Sequence, residues 1–328
     1  MTPFSYRVAT STTEALAAAP DSSERFLGGG TNLVDLLRQN VEQADALVDV
    51  SRLPASIDET EDGGLWVGAA VRNTALAADP RIGARYPMLS RALLSGASAQ
   101  IRNMATVGGN LLQRTRCAYF YDVPGARCNK RVSGAGCDAI GGFTRYHAIL
   151  GASEQCAATH PSDMCVALMA LDTVVHLDDG NEKRRLPLSE FYRLPGNTPH
   201  FETELRTGEL VTGIQIPSCR AAVNSTYRKV RDRSSYAFAL VSVAAAMRVE
   251  NGVIADIRLA LGGVAPRPWR AAKAEAALAG RAPSQEAFRN AADAELADAR
   301  ALGGNAFKIP LARSTIAAVL GELAGDAA

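Results

Sequence analysis

No apolar run in this sequence approaches the ~20 residues that a bilayer-spanning helix needs. The first residues, MTPFSYRVAT, carry neither the basic start nor the apolar core of a signal peptide, so this chain is expected to carry no export signal of its own. Charge of one sign is also missing. The net charge is +1, which gives no reason to expect nucleic acid or an anionic membrane as the main partner. Six cysteines in 328 residues are too few for a disulfide scaffold. None of their intervals is the Cys-x-x-Cys spacing of zinc ribbons and fingers, and the plant-type ferredoxin spacing, Cys-x4-Cys-x2-Cys, is absent. No internal repeat or low-complexity segment is visible.

What is present is an ordinary globular composition, 47% hydrophobic and 21% charged, in a chain long enough for two or three domains. Arg25-Phe26-Leu27 reads as a strand entering Gly28-Gly29-Gly30. Thr31-Asn32 then opens a helix with Leu33, Leu36 and Leu37 on one face, and 46–50 returns as a strand. Further on, 65–69 reads as a strand and 87–97 as a helix with Leu89, Leu93 and Leu94 inward. The run "HPSDMCVALMALD" reads as a helix started by Pro161, followed by a β-branched strand over 173–177. Pro217 and the polar stretch after it mark a boundary. Asn251-Gly252 between two strand-like runs predicts a hairpin. Alanine-rich helices are expected over 270–278, 285–302 and 312–323.

Three short stretches carry chemistry. "GGGTNL" (28–33) joins a strand to a helix, where glycine lets backbone N–H groups approach a phosphate. It lacks both the Gly-x-Gly-x-x-Gly fingerprint and the P-loop lysine, so alone it reads first as a tight strand-to-helix turn. "TVGGNL" (106–111) repeats the pattern, and two such turns suit one extended anionic ligand. Between this turn and "HPSD" lies a basic, irregular stretch with Cys117, Cys128, Cys137 and Cys156. Such long intervals suit a four-thiolate iron–sulfur cluster better than zinc, and Arg114, Arg116, Arg127, Lys130 and Arg131 would offset its negative charge. Their other reading is a solvated loop face. Cys165 lies in an apolar helix pattern, where a cysteine behaves as a small core residue, so Cys156 is preferred as fourth ligand. Cys219 reads as a bystander. His147 and His160 could replace a cysteine ligand but read first as structural histidines, and Asp163 reads first as a helix cap.

In order along the whole chain, "GGGTNL", "QIRNMATVGGNL", "HPSD", "GELVTGIQIP" and "YRKVRDRSSYAFALVSVA" resemble the FAD-binding subunit of the xanthine dehydrogenase family of molybdenum hydroxylases. The cysteine insertion is similar to that in the FAD subunits of periplasmic bacterial aldehyde oxidases. The resemblance implies an α+β fold: a two-subdomain FAD-binding unit of the vanillyl-alcohol-oxidase-like (PCMH) kind, then a small C-terminal α+β domain with an antiparallel sheet. The expected divisions are 1–53, 54–218 with the iron–sulfur loop at about 112–158, and 219–328. It implies one FAD, its pyrophosphate held by Leu27, Gly28, Gly29, Gly30, Thr31, Asn32 and Leu33 and by Thr106, Gly108, Gly109 and Asn110. Asp163 would bond the adenosine part, Val211 would pack over the isoalloxazine ring, and Lys229 would stand near the ring's polar edge. A [4Fe–4S] cluster would sit on Cys117, Cys128, Cys137 and Cys156. Where the family's dehydrogenases place an aromatic residue against the flavin, about ten positions before the second glycine turn, this chain reads "SGASAQ" (95–100), which implies an electron acceptor other than NAD.

The function implied is electron transfer within an oxidoreductase. Aldehyde oxidation would occur at a molybdenum cofactor on a partner subunit, and [2Fe–2S] centres on another would pass electrons to this FAD and an external acceptor. This chain shows no molybdenum-site feature. Export is expected only with a signal-bearing partner, to the periplasm; otherwise the complex would be cytoplasmic. Two other readings stand beside it: a 4-hydroxybenzoyl-CoA-reductase-like FAD subunit, and a non-catalytic binding protein stapled by zinc.

Overall fold

The computed structural model describes residues 2–18, 23–121 and 125–325. Three sheets organise it. The first is parallel, with Ala46–Asp49 between Ser5–Val8 and Glu24–Leu27. Its central strand is the buried one, which its unbroken Ala-Leu-Val sequence requires. The second is an antiparallel sheet of five strands in the order Ile57–Glu59, Leu65–Gly68, Leu210–Ile216, Val174–Asp178 and Lys183–Pro187. The strand ending at Ile216 thus pairs with one almost 150 residues earlier, Leu65–Gly68, which closes this sheet around everything in between.

The third sheet is antiparallel, in the order Trp269–Arg270, Val253–Gly262, Val241–Glu250 and Ser225–Val230. Asn251 and Gly252 both have positive φ in the hairpin turn, as an Asn-Gly pair between strands predicts. Residues 241–247 are buried without a break because both faces of the sheet are covered. Val243, Ala245 and Met247 join Leu259 and Leu261 in a core with Phe288, Ile316 and Leu320 from the C-terminal helices. Ala244, Ala246 and Ala260 point the other way, into the core that holds the helix Asp163–Ala170. Small residues on that face let the helix lie close, and this brings the helix start beside the strand Ser225–Val230.

Element limits differ from the sequence reading where tertiary contacts act. Pro161 is outside the helix, whose cap is Ser162: its hydroxyl accepts from Cys165 N at 3.0 Å. Leu94 is exposed, although Leu89 and Leu93 point inward, because the helix ends at Ser95. The second glycine motif is no simple turn: Val107–Leu111 is a short helix capped by Thr106. The last helices span Ala272–Leu278, Gln285–Leu296 and Lys308–Leu323. Sequence periodicity missed the strands Ser5–Val8 and Ile57–Glu59, which are short and have no fully buried residue. No helix among the described residues is long and apolar enough to cross a membrane.

Candidate cofactor cleft and cysteine loop

The two glycine motifs are mated to each other. A side chain on Gly29 would run into the Met104 carbonyl, and a Cβ on Gly28 would lie 2.6 Å from Thr106 Oγ1. Thr106 Oγ1 in turn accepts from Gly109 N at 3.2 Å. Glycine is therefore required at 28 and 29 first by the neighbouring chain, a reason spacing alone does not reveal.

Three cavities meet at Gly109. One, of 460 Å³, is lined by Leu33, Arg114, Lys130, His160 and Glu202. A second, of 470 Å³, is lined by Thr31, Asn110, Arg116, Asp163, Lys229 and Phe238. The third is narrow and lined by Gly28, Thr106, Gly108 and Val211. Asn32 faces the two large ones. Its Oδ1 accepts from Arg114 N at 2.8 Å, while its Nδ2 is buried with no partner in the described structure. A buried, unsatisfied amide donor at a junction of cavities, next to the backbone of Gly109, suits an anionic group. Leu27, Gly29 and Gly30 line none of these spaces; they support the turn.

Lys229 and Asp163 form a buried ion pair, Nζ to Oδ2 at 2.7 Å, with side chains 4% and 9% exposed. Tyr227 donates its hydroxyl to the other carboxylate oxygen at 2.5 Å, and Lys229 also reaches the Ser95 carbonyl at 3.3 Å. Asp163 is thus not the helix cap, which is Ser162. The resemblance gives Asp163 and Lys229 to different parts of the FAD, and the fold bonds them to each other. Val211 is buried and lines the narrow cavity, while Lys229 lines one of the large ones, the two spaces joining at Gly109. Tyr227 was missed by the sequence reading; its signal was the strand period of two, which puts it on the face of Lys229.

All six cysteines are free. Cys128 and Cys137 face each other across an isolated antiparallel bridge, and Cys156 makes another with Ser153. Burial pushes the Cys117 thiol up to about 12, and the nearby Cys156 and Cys128 thiols push the same way. Cys156 is pushed up to about 11, again chiefly by burial, with Cys137 and Cys128 adding to it. Among the described residues, no three Cys, His, Asp or Glu side chains are gathered tightly enough to hold a metal ion. A four-iron cluster is a larger body, with its thiolates spread around it. Cys165 stands elsewhere, fully buried, its Sγ 3.1 Å from Tyr192 Oη. His147 Nε2 lies 3.1 Å from Cys117 Sγ, a contact no sequence interval announced. Most of the loop's cations are already neutralised. Arg114 pairs with Glu42 and Glu202, Lys130 with Glu202, and Arg127 with Asp138. They offset these carboxylates before any bound cluster.

Comparison with known proteins agrees with this architecture. Residues 2–219 match the family described as the FAD binding domain in molybdopterin dehydrogenase, and residues 225–323 the CO dehydrogenase flavoprotein C-terminal domain. The aldehyde oxidoreductase FAD-binding subunit PaoB of Escherichia coli (strain K12) is 48% identical over the full length of both chains. The glyceraldehyde dehydrogenase medium chain of Sulfolobus acidocaldarius is 28% identical, covering 85% of this chain and 82% of that one. The carbon monoxide dehydrogenase structure from Hydrogenophaga pseudoflava superposes over both whole chains with a TM-score of 0.76 at 26% identity. These likenesses remove the reading of a non-catalytic, zinc-stapled protein. With the family matches and the whole-length likeness together, the chain belongs to the FAD-binding subunits of the xanthine dehydrogenase family of molybdenum hydroxylases, and it is an oxidoreductase subunit.

Proposed function

We propose that this chain is the FAD- and [4Fe–4S]-carrying electron-transfer subunit of an aldehyde-oxidising molybdenum enzyme. Its partners are a molybdenum-cofactor subunit, where the substrate is oxidised, and a [2Fe–2S] subunit that feeds electrons to this chain for delivery to an external acceptor other than NAD. The aldehyde substrate class rests on the full-length likeness to PaoB, which also favours this reading over the 4-hydroxybenzoyl-CoA reductase one. The observation that carries the cofactor assignment is the junction of cavities at Asn32 and Gly109, with a buried carboxylate–ammonium pair in one arm.

FAD, when bound, supplies the redox chemistry; the protein supplies placement and charge. Asn32 Nδ2 would donate to the pyrophosphate, which would lie against the Gly109 backbone. The isoalloxazine ring belongs in the arm with Asp163 and Lys229, because that arm shares Arg116, Pro161, Tyr236 and Phe238 with the space lined by Cys117. Lys229 Nζ would favour negative charge on the ring, and Asp163 would hold Lys229 in place. The exposed Tyr236 and Phe238 rings stand where the stretch 95–100 offers none. Cys117, Cys128, Cys137 and Cys156 would ligate the cluster as thiolates, and at Cys117 and Cys156 the metal must drive deprotonation against burial.

The visible spectrum of the purified complex, with iron and sulfide analysis, tests this reading. Flavin and iron–sulfur absorbance that bleaches on reduction is expected, with four irons of this chain lost in Cys117→Ser or Cys156→Ser and kept in Cys165→Ser. Loss with Cys165→Ser and retention with Cys156→Ser would exchange the fourth ligand. A flavin-only spectrum would remove the cluster.

A further inference from the structure

Arg116 is the one basic residue of the loop placed between the two proposed redox sites. It precedes Cys117 in sequence. Its side chain lines the cavity of Asp163 and Lys229 as well as the neighbouring cavity of Cys117 and His147. Arg114, Arg127 and Lys130 have carboxylate partners, and Arg131 is exposed. Arg116 makes no ion pair among the described residues. Its guanidinium lies instead between two rings, 5.4 Å from the centroid of Tyr121 and 5.3 Å from that of Phe238. Nη1 donates to Tyr121 Oη at 3.1 Å, and the Tyr121 hydroxyl in turn donates to Asp35 Oδ2. Nε is buried and has no partner in the described structure.

From this geometry we infer that Arg116 is a positioning residue shared by both redox sites: its fixed positive charge, clamped by Tyr121 and Phe238, raises the reduction potentials of the flavin and of the cluster together. The inference rests on the proposed cofactor placement. Arginine keeps its proton at every working pH, and its planar group stacks on rings, so the charge stays constant and in place. An electron added on either side makes that side more negative. A cation between them, not ion-paired with Asp35 behind Tyr121 or with Asp163 in the same cavities, favours reduction of both.

The test is a potentiometric titration of the complete enzyme, following flavin absorbance and the electron paramagnetic resonance of the reduced cluster. Arg116→Gln should keep FAD and iron at wild-type content and lower both midpoint potentials, and Arg116→Lys should recover part of each shift. Unchanged potentials at full cofactor content overturn the inference, and so does a shift confined to one centre. Should Arg116→Gln lose its cofactors, Phe238→Leu, which loosens the clamp from outside the loop, should lower both potentials by less; no shift there overturns it equally. Wild-type enzyme without iron would instead overturn the cluster reading, and this inference with it.

Discussion

At the scale of single residues, Lys229 shows what a structure adds to a motif. The family resemblance implies a place near a flavin; the fold pairs it with Asp163 below the surface. Lys229→Met therefore does two things. It leaves a buried carboxylate with only Tyr227 as partner, a loss of about 3–5 kcal/mol. It also removes a cation beside the proposed ring. At ~4 Å and an effective dielectric constant near 20, a unit pair interacts by about 4 kcal/mol before desolvation. A quarter of that is ~20 mV for a two-electron couple, and Asp163 offsets part of it. The variant should unfold at lower denaturant and reduce at lower potential. Adding Asp163→Asn should restore most of the stability. A Lys229→Met enzyme with wild-type stability would mean the pair is not buried as described, and an unshifted flavin potential would take Lys229 out of the cofactor's reach.

At the scale of elements, the glycine motifs act as a mated pair. Gly29→Ala has no room, since its Cβ meets the Met104 backbone, which cannot move without displacing the helix that follows. Gly109→Ala meets only the Thr106 hydroxyl, at 3.1 Å, and keeps its backbone N–H. The expected order is a large loss of both stability and FAD for Gly29→Ala, and weakened FAD retention with near-normal stability for Gly109→Ala. Flavin stoichiometry and denaturant unfolding of the two proteins check it. Equal stability losses would mean that Gly109 is also needed for packing alone. "GGGTNL" and "TVGGNL" were legible as a pair because both join glycines and a small polar residue to Asn and Leu. That the first folds onto the second was not legible, since more than seventy residues separate Gly29 from Met104.

At the scale of the whole molecule, the cysteine loop is fastened from both sides. Asn305 and Lys308, both fully buried, donate to the carbonyl of His147, and Asn305 also to that of Ala148. The C-terminal domain thereby holds the loop's exit, while Glu202 holds its entry through Arg114 and Lys130. Next to that network, burial pulls His160 from 6.5 down to about 4. Its Nε2 has no partner in the described structure. The unfolded chain binds a proton there at higher pH than the folded one does. Stability is thus full above 6.5 and falls as pH drops toward 4, by at most about 1.4 kcal/mol per pH unit. His160→Gln should flatten that slope. Urea unfolding at about pH 7 and about pH 5, compared between the two proteins, measures it; equal slopes would mean that His160 protonates freely in the folded state.

The sequence by itself determined what is local or ordered along the chain. It held the strand–glycine–helix units, the Asn251-Gly252 hairpin and the clustering of the cysteines. In order, these motifs were specific enough to indicate the family. Only the tertiary structure decided which distant groups meet. It set Asp163 on Lys229, His147 on Cys117, and Arg116 between two rings; it neutralised three of the loop's cations; and it put Val211 in a different cavity from Lys229. The physical reason is that periodicity and turn chemistry act over a few residues. Ion pairs and burial instead depend on how sheets and helices close on one another, here through an alanine-lined sheet face that draws the 163–170 helix onto the strand of Lys229.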